Sequence, residues 1–196
     1  MMGRIVSIEG CIGAGKTSLV NFLSEELGTE KIVEHTYQNP FIDEFYQGGN
    51  VKLETELTFL LQHYSLLKTA GETAGLVLAD FSIEKDLVFA RLNLTQNELR
   101  IFRNLYDFVI DSVGTQELTI FLDVPILGLI ERIRLRGRPH EVNADPAYFR
   151  NYSEQLKSYF MNDSKAEVFI VDAKDLELNL TNVRLIQIRG ILQQII

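Results

Sequence analysis

Short apolar runs, each followed by a turn and then by a stretch with helical spacing, set the rhythm of this chain. The first run, about Arg4 to Ser7, leads through a glycine-rich turn into a helix expected from Lys16 to about Leu27. Leu19, Val20, Phe22, Leu23 and Leu27 fall on one side of that helix, and Gly28 ends it. Lys31-Ile32-Val33-Glu34 reads as a short strand ending in a carboxylate. Asn39-Pro40 starts a turn into Phe41–Tyr46, with Pro40 suited to a first helical turn. From Val51 to Ala70, Leu53, Leu57, Leu60, Leu61, Tyr64 and Leu67 keep helical spacing. Leu76-Val77-Leu78-Ala79 is continuously apolar, as in a strand covered on both faces, and it too ends in a carboxylate, Asp80. Thr95-Gln96-Asn97-Glu98 is a capping box that opens a helix to about Val113. Leu118 to Leu122 is a fourth strand, and Pro125 begins a helix to Arg136. Asp145-Pro146 caps a helix to about Phe160, Val168–Val171 is a fifth strand, and Thr181–Ile195 a last helix. Strands alternating with helices predict an α/β fold: a five-stranded parallel sheet flanked by helices.

Composition narrows the class. The 196 residues carry no repeat, low-complexity tract or linker, so a single domain over 1–196 is expected. With 46% hydrophobic residues the chain can build a sizeable core. A net charge of −8 argues against a general nucleic-acid binder, so a polyphosphate would need locally placed cations. The single cysteine, Cys11, excludes an internal disulfide and reads as a small filler; His35 and His140 have no ligand-spaced partner. No apolar run reaches the ~18 residues of a membrane span, and the N-terminal residues lead straight into the first strand. The expectation is a soluble, cytoplasmic protein with no leader and no membrane partner.

Chemistry enters at Gly10-Cys11-Ile12-Gly13-Ala14-Gly15-Lys16-Thr17, which fits the phosphate-loop pattern G-x-x-x-x-G-K-[ST] between a strand and a helix. Glycines let the backbone wrap an anion, and the free N–H groups of the helix start point at it. Lys16 is expected to reach the β- and γ-phosphates of ATP and Thr17 to ligate Mg²⁺. A structural β–α turn would not require Lys-Thr after the last glycine. Ligands of such sheets gather beyond the carboxyl ends of the strands, where Glu34 and Asp80 are expected. Glu34 is the candidate base for an acceptor hydroxyl, against the alternative of a surface or capping acid. Asp80 is the candidate magnesium group, directly or through water, against the alternative of a helix cap. Arg132, Arg134, Arg136 and Arg138 concentrate positive charge; Arg132 and Arg136 share a helix face. A short arginine-rich lid over about 132–145 would exclude water and balance developing charge. Glu56, Phe59, Leu60 and His63 share one helix stripe, which would either line a pocket with a polar reader or form a core edge with two exposed polar residues.

With these residues in view, the chain resembles the deoxynucleoside kinase family, and its bacterial purine-directed members most. The resemblance runs from Ile5 to about Phe160 and rests on Ile8–Thr17, Asn39–Tyr46 and Arg132–Arg138 together. It implies a phosphate-loop kinase that moves phosphate from ATP, with Mg²⁺, to the 5′-hydroxyl of a deoxynucleoside. Catalytic residues would be Glu34 as base, Lys16 and Arg132. ATP would be held by Gly10, Cys11, Ile12, Gly13, Ala14, Gly15, Lys16 and Thr17 together with Arg136 and Arg138, and the metal by Thr17 and Asp80. The substrate set would be Glu34, Tyr46, Glu56, Asp80, Phe89 and Glu141, with Tyr46 and Glu141 on the 3′-hydroxyl. The family's base-pairing glutamine falls at Glu56 by spacing, with Gln62 a rival placement. A glutamate that only accepts hydrogen bonds would favour guanine or an exocyclic amine. The resemblance also implies a homodimer through helices such as Val51–Ala70 and Thr95–Val113. Three departures stand out: Asp80-Phe81-Ser82 lacks the family's arginine, His63 stands where an arginine is usual, and His35 where a proline is. Lys85 or Arg91 would substitute for the missing arginine, or activity would be reduced. Two rival readings are a nucleoside monophosphate kinase of thymidylate type and a non-catalytic nucleotide-binding member of the fold.

Overall fold

The computed structural model describes residues 4–195 except positions 115, 143, 175, 177 and 180, and not the side chain of residue 140. Five parallel strands form one sheet in the order β2-β3-β1-β4-β5: β1 Arg4–Gly10, β2 Glu30–Ile32, β3 Leu76–Ala79, β4 Leu118–Asp123 and β5 Glu167–Asp172. The fold is thus the parallel α/β sheet that the apolar runs predict. Val6 to Gly10 and all four residues of β3 are buried, because helices cover both faces of the central strands. One apolar cluster joins the sheet to α1 (Lys16–Leu27), α8 (Pro146–Asn162) and α9 (Val183–Ile195); a second joins it to α3 (Lys52–Gly71) and α5 (Gln96–Val113).

Local chemistry sets the helix boundaries. The Thr95 hydroxyl and the Glu98 carboxylate reciprocate across the first turn of α5, as the capping box requires. The Asp145 carboxylate accepts from Ala147 N–H at the start of α8, with Pro146 in its first turn. Gly28 closes α1 in the left-handed region. No helix among the described residues is long and apolar enough to cross a membrane.

Some elements differ from the sequence expectation for a physical reason. Strand β1 runs on to Gly10 because β4 pairs with it through Gly10–Leu122. Strand β2 stops at Ile32, so Glu34 lies on the connection beyond it, where a carboxylate faces the strand ends. Pro40 belongs to the turn after a 3₁₀ segment Thr36–Gln38, and α2 (Ile42–Tyr46) begins two residues later. Helix α4 (Glu84–Asn93) has no counterpart in the sequence reading. It is wedged against α3, α5 and α8 and buries charged residues along with apolar ones, so it shows no amphipathic stripe. Downstream, α6 (Ile126–Arg136) and the short α7 (Pro139–Val142) occupy the stretch expected to form a lid.

Sheet and phosphate loop meet at Gly10, whose φ of 150° and tight packing leave no room for a side chain. A Cβ there would lie 2.7 Å from the Leu122 carbonyl oxygen. Replacing Gly10 with Ala is therefore expected to cost about 2 kcal/mol, roughly 4–8 °C in Tm, and to weaken ATP binding. Thermal melts and ATP titration of G10A check this; an unchanged melt would show that the loop accommodates a methyl group.

Candidate active site

The turn between β1 and α1 is shaped from beneath by Glu9, a fully buried acid. Its carboxylate accepts from Gly10 N–H and Ser82 N–H, each at 2.8 Å, tying the loop to the end of β3. The first-turn N–H groups of α1 have no partners within the helix, which makes the helix start an anion site. Lys16 Nζ donates to the carbonyls of Gly10 (2.7 Å) and Cys11 (3.2 Å) and lies 3.9 Å from Glu9. Gly10 and Cys11 form the buried back of the loop, while Ile12 to Thr17 line a cavity of about 570 Å³. Burial pushes the Cys11 thiol up to about 11 despite nearby Lys16, which fits a small filler.

Asp80, just past β3, joins two elements. One oxygen accepts from the Thr17 hydroxyl at 2.5 Å and the other from the Glu34 backbone N–H at 2.7 Å. The Glu34 side chain then turns into the cavity and is gripped by two cations. Lys85 Nζ donates to Oε2 at 2.8 Å, and His63 Nε2 bonds Oε1 at 3.0 Å. Burial alone would raise the Glu34 pKa, but Lys85 and His63 outweigh it and hold the carboxyl well below the usual range. Lys85, buried on α4, is correspondingly raised: Glu34 and its neighbouring acids outweigh desolvation. Of the two cations considered for the missing arginine, Lys85 stands at Glu34; Arg91 lies over the Tyr159 ring at 5.5 Å. Phe81 itself is fully buried.

The same cavity is lined by Glu56 and Phe59 from α3 and by Phe89 from α4, whose ring stacks on Tyr152 at 3.9 Å. Both polar residues of the α3 stripe are buried, Glu56 at 3% and His63 at 1% exposure, so this is not a core edge with exposed polar groups. Glu56 lines the cavity; Gln62, its rival, is not among the lining residues described. Asn93 Nδ2 donates to Glu56 Oε1 at 2.7 Å and to the Tyr148 hydroxyl at 3.3 Å. Burial pushes the Glu56 carboxyl up to about 8 against the lowering effect of Asn93. At neutral pH it therefore keeps a proton and offers one donor as well as an acceptor. This corrects the expectation of an acceptor-only group: with Asn93 on Oε1, the neutral acid presents the same pair of functions as a carboxamide.

The remaining expected residues also line this cavity. Tyr46 and Glu141 stand at one side of it, together with Arg136 and Arg138. Arg136 Nη2 bonds Glu141 Oε2, and Arg138 Nη1 bonds Oε1 at 3.3 Å. Arg132 is tied back to the loop, donating to the carbonyls of Ala14, Ala173 and Lys174 at 3.2–3.4 Å. Among the described residues there is no cluster of three or more His, Cys, Asp or Glu side chains that would hold a metal without help from a ligand. Thr17 and Asp80 supply two hard oxygen donors beside the loop, a set that would suit Mg²⁺ if phosphate oxygens and water completed it. Glu9, Asp86 and Asn93 were not legible as site residues. Buried charge on α4 is the only sequence trace of the last two, and it shows only once that helix is recognised.

Comparison with known proteins gives consistent matches. The family model described as deoxynucleoside kinase matches residues 6–188. A deoxyguanosine kinase of Bacillus subtilis is 31% identical over 187 residues, covering 89% of each chain. A deoxyadenosine kinase of Lactobacillus acidophilus is 30% identical over 171 residues, 81% of this chain and 79% of that one. Among solved structures, a deoxyadenosine kinase from M. mycoides with dATP bound superposes with a TM-score of 0.83. That chain is 22% identical, with coverage of 98% of this chain and 100% of that one, a likeness in fold.

The Glu56 proton has a measurable consequence. Between the ordinary value of 4.5 and about 8, the unfolded chain ionises this residue while the folded chain does not. Its contribution to stability is thus lost as pH rises through that window. E56Q keeps the Asn93 bond and lacks the titration, so its Tm advantage over the native chain should grow from pH 5 to pH 8. A gap that stays constant with pH would show that Glu56 is ionised throughout.

Proposed function

The chain belongs to the deoxynucleoside kinase family and is a phosphotransferase; we propose that it carries phosphate from ATP to the 5′-hydroxyl of a purine deoxynucleoside. The observation that carries this reading is the Glu34 carboxylate, ionised and held by Lys85, lining one cavity together with the phosphate loop and Glu56. In-line transfer needs an acceptor oxygen aimed at the terminal phosphate, and a carboxylate at this point orients that hydroxyl.

The residue roles proposed with it are supported by this placement and by membership of the family. Loop amides and Lys16 hold the β- and γ-phosphates, and Arg132, Arg136 and Arg138 balance charge on the transferring group. Thr17 and Asp80 would hold Mg²⁺, which when bound neutralises charge on the phosphate oxygens. As the 5′-oxygen bonds to phosphorus and the bond to the ADP oxygen breaks, the hydroxyl proton passes to Glu34. A low carboxylate pKa is compatible with this. In a loose transition state the proton leaves late, so orientation matters more than base strength. Tyr46 and Glu141 hold the 3′-hydroxyl. Because Glu141 also pairs with Arg136 and Arg138, sugar binding and an arginine lid that includes α6 and α7 act together.

The purine preference is supported by the deoxyguanosine and deoxyadenosine kinases among the relatives. Neutral Glu56 adds a donor and an acceptor for a base edge, with Phe89 as the apolar wall. A homodimer through α3 and α5 is supported by exposed Leu61, Ile101 and Phe108 on those helices, and sedimentation of the purified chain tests it.

Activity with ATP should be measured over four deoxynucleosides and their monophosphates, for the native chain and for E34Q. Deoxyguanosine or deoxyadenosine should give the highest kcat/KM, and monophosphates should not be phosphorylated. E34Q should lower kcat by about 100-fold or more with little change in KM for ATP. Thymidine preference would remove the purine reading, and wild-type turnover by E34Q would remove Glu34 from its role.

A further inference from the structure

His63 has no place among the roles assigned so far, yet its ring is held by two carboxylates and two aromatic rings. It comes from α3, is 1% exposed, and lies nearly parallel to two phenylalanine rings. The ring centroids are 4.2 Å from Phe81 and 6.0 Å from Phe59, each at an interplanar angle of 19°. Its Nδ1 lies 2.7 Å from Asp86 Oδ2, and its Nε2 lies 3.0 Å from Glu34 Oε1. Stacking fixes the plane of the ring, and the Asp86 bond fixes its rotation. Together they direct Nε2 at one oxygen of Glu34.

We propose that His63, seated on Phe81 and anchored by Asp86, is a positioning residue that fixes the Glu34 carboxylate in the orientation facing the phosphate loop. Glu34 reaches the cavity from a connection beyond β2 and has three side-chain torsions, and its side chain is 19% exposed. Lys85 restrains Oε2 as a point charge on a flexible stem, which fixes position better than direction. The planar imidazole supplies direction. Phe81, standing where an arginine was expected, becomes intelligible as the platform of this arrangement: Lys85 Nζ also lies over the same ring, 5.9 Å from its centroid.

Both ring nitrogens face carboxylate oxygens, and both must donate for both bonds to exist, so the ring is an imidazolium. The charged groups around it balance: Glu34 from the β2–α2 connection and Asp86 from α4 against Lys85 from α4 and the ring itself, with neutral Glu56 on its own helix. Desolvation opposes the charge, but Asp86 and Glu34 prevail and push the ring up to about 9.

This proposal rests on the reading of Glu34 as the acceptor of the 5′-proton, and the experiment separates the two. Steady-state kinetics with a saturating deoxynucleoside are measured for the native chain, H63Q, E34Q and the double variant. H63Q should lower kcat about 10- to 100-fold with KM for ATP within about twofold of native. In the E34Q background the same change should cost less than about twofold, because the positioned group is gone. Native turnover by H63Q, or its full loss persisting on top of E34Q, overturns the positioning role and leaves the Glu34 reading intact. Native turnover by E34Q overturns the Glu34 reading first, and the proposal with it. Should H63Q fail to fold, ¹⁵N NMR of the native chain at neutral pH decides. With only three histidines to assign, two protonated ring nitrogens at His63 support the clamp, and a bare nitrogen overturns it.

Discussion

One carboxylate at the end of β3 sets the spacing of the whole site. Asp80 accepts from the Thr17 hydroxyl in the first turn of α1 and from the backbone amide of Glu34. The first bond belongs to the phosphate loop and the second to the connection that carries the acceptor-side acid. Because β3 lies between β1 and β2 in the sheet, its end is, among the described strands, the one adjacent to both. The parallel sheet thus brings the turn after β1 and the Glu34 carboxylate to one edge, where ligand sites in such sheets gather.

Charge burial is the cost of this arrangement, and the molecule offsets it by pairing. Glu34, Lys85, His63 and Asp86 form a closed set of two anions and two cations around Phe81. Glu9 is bonded by two backbone amides, and Glu56 remains protonated. Breaking such a set leaves an uncompensated buried charge, which is costlier than never having built it. The arginines of α6 and of the turn after it follow the same rule at the other wall, where Glu141 takes two of them.

Much of this was legible in the chain before folding. The strand–glycine–helix pattern located Lys16 and Thr17, continuous apolar runs located the sheet, and the capping box located α5. Carboxylates after Val33 and Ala79 pointed to the strand ends. What escaped was α4, because a helix that buries Glu84, Lys85 and Asp86 together with Val88 and Ala90 shows no polar face. With α4 missing, neither Asp86 nor Asn93 could be connected to His63 or Glu56. The protonation of Glu56 was also hidden, since a carboxyl's charge depends on desolvation that only packing creates. Phe81 looked like a defect when read as a missing arginine; beside His63 and Lys85 it is a packing surface.

The account depends on Glu34 meeting the sugar hydroxyl, and a crystal structure with a deoxynucleoside and a non-hydrolysable ATP analogue tests that most directly. It should show the 5′-oxygen within about 3 Å of a Glu34 oxygen, aimed at the terminal phosphate in the loop, with Lys85 and His63 still on the carboxylate. A 5′-oxygen held by other groups, with Glu34 turned away from it, would contradict the account.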